Sequence, residues 1–160
     1  MASAHGSVKT CMSAKIFVDT NVMVYAYDRS EPEKQEKALQ VLEFLAKRRI
    51  GAISAQVLAE FFVAVTRKIQ QPLTAELAYQ RVQNYLASWT VLDLTGLIII
   101  EAARGVREYQ LSYWDAQIWA TARLNQINIV LSEDFNPGST LEGVSFVNPF
   151  DGDFSLESVI

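Results

Sequence analysis

The feature that most limits what this chain can fold into is the alternation of short apolar runs with longer stretches of helical spacing. Residues 15–19 (KIFVD) form a brief apolar run closed by turn and cap residues, and Ala38, Val41, Leu42 and Leu45 then fall at intervals 0, 3, 4 and 7, the repeat of a one-faced helix. A second run, IGAIS (50–54), leads into AQVLAEFFVAVTRKI, apolar on nearly every side and so expected to be buried, with Ser54 as its N-cap. After the break at Pro72, the spacing of Ala78, Val82, Tyr85, Leu86 and Trp89 predicts a helix over 74–88, and VLDL (91–94) reads as a strand. Two more helices follow, one with Ile99, Ala102, Ala103 and Val106 on its face, the other opened by Ser112 with Trp114, Ile118 and Ala122. The strands INIVLS (127–132) and VSFV (144–147) flank the turn residues Asn136, Pro137 and Gly138. Strands alternating with helices make βαβ units, so the expected class is α/β with a mostly parallel sheet covered on both faces.

A length of 160 residues suits one domain, expected over residues 15–150 between a flexible tail (1–14) and a polar tail (151–160). No apolar run approaches the roughly 18 residues of a membrane span, and the first residues lack the apolar core of a secretory signal. A cytoplasmic protein without membrane contact is expected. The single Cys11 cannot form an internal disulfide, and the single His5 lies in the small-residue stretch MASAHGS. Ser-His-Asp and Cys-His machinery therefore lacks a base, and His/Cys zinc sites lack ligands. Gly-rich phosphate loops are absent as well. Any catalysis has to be carried by carboxylates.

In an open parallel sheet, chemistry gathers beyond the carboxyl ends of the strands. Asp19 ends the first strand, Glu60 lies in the first two turns of the helix leaving the second, Asp115 is in the first turn of a helix feeding a strand, and Asp134 follows that strand's exit. Four acids distant in sequence are expected at one edge. Like charges there repel unless a cation neutralises them, and an all-oxygen donor set selects Mg²⁺ or Mn²⁺. One or two such ions held by carboxylates can activate water and stabilise the leaving oxygen in phosphodiester hydrolysis. The net charge of −4, from 14 basic and 18 acidic residues, argues against a generally basic nucleic-acid binder. It does not exclude a local site, because the four acids account for the whole imbalance.

The segments FVDTNVMVYAYD, SAQVLAEFFVAVTRK, SYWDAQIWATARL, VLSEDFNPG and VSFVNPF together resemble a PIN domain, most closely the VapC-type ribonuclease toxins of bacterial toxin-antitoxin pairs. The resemblance spans about residues 15–150. It implies a three-layer α/β/α fold around a five-stranded, mostly parallel sheet, and a metal-dependent endoribonuclease whose acids match Asp19, Glu60, Asp115 and Asp134. Asn21 and Ser132 match positions where small polar groups support the metals or their water. It further implies an RNA substrate, a cognate antitoxin and a homodimer. The N-terminus departs from the family in running longer ahead of the first strand.

Each acid also has a structural reading: Asp19 as an N-cap, Glu60 paired with Arg67, Asp115 in a capping box with Ser112, Asp134 in a polar turn. Lys47, Arg48 and Arg49, and the pair Arg67 and Lys68, can either steer phosphates or form solvated helix ends. Trp89, Trp114 and Trp119 fall on apolar stripes and are expected in the core, with base stacking as the alternative use. Two other functions remain open. A haloacid-dehalogenase-like phosphatase would use Asp19 as nucleophile, though that family has Asp where this chain has Asn21. A non-catalytic interaction module would use the acids as caps only.

Overall fold

The computed structural model describes residues 14–136 and 138–160, so nearly all of the expected N-terminal tail, with His5 and Cys11, lies outside the described residues. The chain order is β1 (Ile16–Val18), α1 (Thr20–Tyr25), α2 (Pro32–Arg48), β2 (Gly51–Ser54), α3 (Ala55–Arg67), α4 (Ala75–Ser88), β3 (Thr90–Leu92), α5 (Gly96–Tyr109), α6 (Tyr113–Leu124), β4 (Ile129–Leu131), β5 (Thr140–Leu141) and β6 (Val144–Val147). Their starts follow local chemistry. Asp19, Ser54, Thr74, Thr95 and Ser112 are N-caps whose side chains accept a first-turn N–H, and Pro32 opens α2 at a position needing no donor.

The sheet order is β3-β2-β1-β4-β6-β5, parallel except for the β5/β6 pair. Right-handed crossovers place α1–α4 on one face, as the chain steps from β1 out to β3. They place α5 and α6 on the other, as it returns to β4. Phe17, Val18, Ala52, Ile53, Val130 and Leu131 are fully buried between these layers. At the amino edge the Trp89 indole lies against the β2 backbone so closely that a Cβ on Gly51 would stand 2.4 Å from the ring; only glycine leaves that space.

The sheet has six strands where five were expected. The addition is β5, two residues long, joined to β6 by Glu142 and Gly143 at φ 45° and 84°. Two consecutive positive φ values make the type I′ turn favoured in two-residue hairpins, but Glu-Gly is not its usual sequence. Glu142 is held there from outside. Arg104 donates to both of its carboxylate oxygens, at 3.0 and 2.7 Å, and the Tyr109 hydroxyl donates to it as well. Arg123 Nε stands 2.7 Å from it as an ion pair without hydrogen-bond geometry. The Arg104 guanidinium first, and Tyr109 second, push the Glu142 pKa down to about 2. A folded pKa below the unfolded one supplies stability at neutral pH that is lost as pH falls. Melting temperature is therefore expected to drop from about pH 4.5 towards 2, and Glu142→Gln to flatten that slope, read by thermal melts across acid buffers.

The expected face of α5 is off by one residue. Ile98, Ala102 and Gly105 are buried, while Ile99 and Val106 are exposed. The final ten residues, expected as a polar tail, end in a 3-10 turn over Leu156–Val159 that buries Val159.

Candidate active site

In this sheet the strand order runs outward from β1 in one direction and from β4 in the other, and a crevice opens at such a switch point beyond the carboxyl ends. Val18 and Leu131 pair in register, so the residues that follow them face each other. Ser132 Oγ donates to Asp19 Oδ2 at 2.7 Å, and the Asp19 N–H donates to the Leu131 carbonyl at 2.9 Å. The Thr20 N–H donates to Asp19 Oδ1 at 2.7 Å, making Asp19 the cap of α1. Asp19 is buried, and burial is the main reason its pKa is pushed up to about 7; Asp134 and Glu60 push the same way, against the Ser132 and Thr20 hydrogen bonds.

Asn21, one residue into α1, ties the other strand end to Asp19. Its amide nitrogen lies 2.9 Å from Asp134 Oδ2, 3.1 Å from Ser132 Oγ and 3.3 Å from Asp19 Oδ2, while its oxygen accepts the Glu133 N–H at 3.2 Å. Ser132 Oγ in turn accepts the Asp134 N–H at 3.1 Å. On the α3 side, Glu60 accepts from the Thr20 hydroxyl at 3.0 Å and from Gln56 Nε2 at 2.8 Å. Thr20 thus touches both Asp19 and Glu60. Asp115 gives its N–H to Ser112 at 3.2 Å, and among the described residues nothing donates to its carboxylate. The Ser112 half of a capping box is present; the reciprocal half is not.

Glu60, Asp115 and Asp134 line one cleft of about 840 Å³, with Thr20, Gln56 and Gln117 among its other polar walls. Among the described residues none of the four acids is in a salt bridge. Glu60 has no Arg67 partner. No three His, Cys, Asp or Glu side chains among those residues stand together as a ready-made ion cage; Thr20, Asn21 and Ser132 join Asp19 to Glu60 and Asp134, and Asp115 stands apart on the cleft lining. Lys68 is the one cation in the lining. Lys47 pairs with Glu43 and Arg48 covers Phe44, at the end of α2 that faces the opposite edge of the sheet. Trp114, expected in the core, is on the cleft wall and exposed.

Several supporting residues were not anticipated. Gln56 stands four before Glu60 on the same helix face, a spacing that could have singled it out. Thr20 and Gln117 carry no such signal. Nor does the cluster behind Asp134, where Lys34 bonds both Glu133 and the Tyr25 hydroxyl while Tyr25 donates to Glu133 at 2.7 Å. That cluster pins the loop that carries Asp134 to α1 and α2.

The profile of the PIN domain matches residues 16–137. The chain belongs to the PIN domain family. No curated protein sequence matches it. Among solved PIN-like structures, a toxin-antitoxin complex from Klebsiella pneumoniae is 23% identical with a TM-score of 0.62, covering 84% of this chain and 98% of that one. VapC20 of Mycobacterium tuberculosis, described as a sarcin-ricin loop cleaving toxin, is 19% identical with a TM-score of 0.63 over 80% and 98% of the two chains. VapBC2 of Rickettsia felis, solved on a fragment of its promoter DNA, is 18% identical with a TM-score of 0.58 over 82% and 96%. At these identities the likeness is one of fold. Among the described residues no helix is long and apolar enough to cross a membrane.

Proposed function

We propose that this PIN domain is a Mg²⁺- or Mn²⁺-dependent endoribonuclease, acting in the cytoplasm as the toxin of a toxin-antitoxin pair. The observation that carries the reading is that Glu60, Asp115 and Asp134, from three separate elements, line one cleft, with Asp19 buried near Glu60 and Asp134 and none of the four in a salt bridge among the described residues. Burying Asp19 beside other carboxylates without a cation is costly, and an all-oxygen donor set fits a hard divalent ion. Asp19 would be the fixed ligand, oriented by Ser132, Asn21 and the Thr20 N–H; Glu60 would be held by Thr20 and Gln56, and Asp134 by Asn21. Asp115, with its carboxylate free, would complete the set. Bound ions would supply Lewis-acid charge that promotes attack of water on a phosphodiester and stabilises the leaving oxygen.

Attack by water with departure of the 3′ oxygen leaves 5′-phosphate and 3′-hydroxyl ends. Incubating the purified chain with total cellular RNA and Mn²⁺, then mapping the new ends, is the direct test. Recovery of 2′,3′-cyclic phosphates, or full cleavage in excess EDTA, would overturn the mechanism. The phosphatase alternative lacks its second acid, because Asn21 stands where that family has Asp and its amide nitrogen is spent on Asp134, Ser132 and Asp19.

The same reading includes an antitoxin partner and a homodimer. The antitoxin is supported by the toxin-antitoxin complexes among the structural neighbours and by an acidic cleft that a basic side chain would complement. The dimer is supported by Leu97 and Ile100, exposed at 72% and 66% one turn apart on α5. Light scattering of the purified chain and a pull-down from the native cell test these contacts.

A further inference from the structure

The cleft is not lined by acids alone. Ala59, Val63, Leu94 and Trp114 give it apolar wall, and Lys68 lines it too. Trp114 is 62% exposed, although the residues that follow Asp115 on the same helix, Ala116 to Ala122, are all buried. The indole is braced: the Tyr113 ring meets it edge-on at 5.2 Å and 79°. Beside it lies a pair of buried amides. Gln56 Nε2 donates to Glu60 at 2.8 Å and to the Trp114 carbonyl at 3.3 Å, so the Gln56 oxygen faces the other way and accepts Gln117 Nε2 at 2.7 Å. The carboxylate thereby fixes the orientation of both amides. The Gln117 side-chain oxygen is left with no donor among the described residues, although Gln117 is almost wholly buried and lines the cleft. That oxygen is not sealed from solvent; it opens onto the cleft, where a ligand N–H can take the place of water.

Resting on the ribonuclease reading above, we propose that this wall is a nucleobase subsite. Trp114 stacks on an unpaired base next to the scissile phosphate, Gln117 accepts an N–H from that base's edge, and Lys68 meets a flanking phosphate. Both contacts need an unpaired base, since a duplex hides its base faces and its Watson–Crick edges. An apolar helix from a protein partner would cover the indole but leave the Gln117 acceptor and Lys68 unmet. A nucleotide satisfies all three.

The test reads the indole directly. The Asp19→Asn chain, in which cleavage is expected to be slow, is titrated in Mg²⁺ with a short single-stranded RNA of mixed sequence while tryptophan emission is followed. Quenching is expected, absent in the added Trp114→Phe variant and absent when the RNA is replaced by an abasic strand of equal charge. Trp114→Ala should bind the RNA about 5- to 150-fold more weakly, the range that loss of one stacked base implies. In the otherwise unaltered protein, Trp114→Ala should raise KM for RNA by that factor, change kcat little, and leave the Mn²⁺-induced melting shift intact. An active wild type whose KM is indifferent to Trp114→Ala overturns the subsite alone. So does light scattering in which that variant turns a dimer into a monomer, since the indole would then be a subunit contact. A wild type that cleaves no RNA in Mn²⁺ overturns the ribonuclease reading and the subsite with it.

Discussion

Asp19→Asn is expected to reduce RNA cleavage by more than about 100-fold, since changing even an outer partner of a metal ligand typically costs 10–100-fold, and at the same time to raise the melting temperature of the ion-free protein. The two effects have one origin. Asp19 is buried at the switch point of the sheet, and its burial, with the charges of Asp134 and Glu60 nearby, opposes ionisation. Asparagine removes that cost while keeping the shape. It can still accept the Thr20 N–H as an N-cap, where Asn and Asp are equally favoured, and its amide can donate to Ser132 Oγ. What it cannot supply is the negative charge that would hold a divalent ion. The gain from added Mn²⁺ should therefore shrink, because ligand-linked stability follows affinity. Melts in EDTA and in Mn²⁺, run beside a cleavage assay, read all three quantities. A residue that merely caps α1 would give another pattern: equal or lower stability in EDTA, an unchanged Mn²⁺ shift and intact cleavage.

The placement of the acids was legible in the sequence for a topological reason. A residue just after a parallel strand, in the first turns of the helix leaving it, or in the first turn of a helix that runs back to feed the next strand, lies at the carboxyl edge whatever the order of the strands. Asp19, Glu60, Asp115 and Asp134 needed only that rule. How they are joined did not follow, because Thr20 to Glu60 and Asn21 to Asp134 are contacts across 40 and 113 positions, set by tertiary packing. The α5 face was misread because its closest approach uses Gly105, which carries no hydrophobic signal yet brings its backbone against Trp119. Trp114 was misread for a related reason. It continues the stripe of Ile118 and Ala122, but it sits in the first turn of α6, at the edge where the core ends and the cleft begins.

Trp119 is the residue on which that arrangement turns, and Trp119→Ala is expected to cost about 3–5 kcal/mol of stability, the usual range for emptying a fully buried large aromatic. The indole is wholly enclosed. Its edge packs so near α5 that a Cβ on Gly105 would lie 2.9 Å away, and Tyr109 meets it edge-on at 5.8 Å. Its Nε1 donates to the Leu141 carbonyl at 3.2 Å, and the Arg104 guanidinium lies 5.3 Å from its ring. One side chain thus joins α5, α6 and the β5 hairpin. Alanine opens a cavity that Gly105, having no side chain, cannot fill, and it leaves the Leu141 carbonyl without its donor. Trp119→Phe should cost less, because the ring refills most of the space and only the N–H is lost. Asp115 and Gln117 stand on this same helix one turn and less from Trp119, so the loosened α6 should also blunt the Mn²⁺-induced melting shift of whatever protein still folds. Denaturant melts of both variants measure the first effect and melts in Mn²⁺ the second. A Trp119→Ala protein that loses under about 1 kcal/mol would mean that α6 is held by its contacts with the sheet, and that Trp119 fills space there without anchoring the helix.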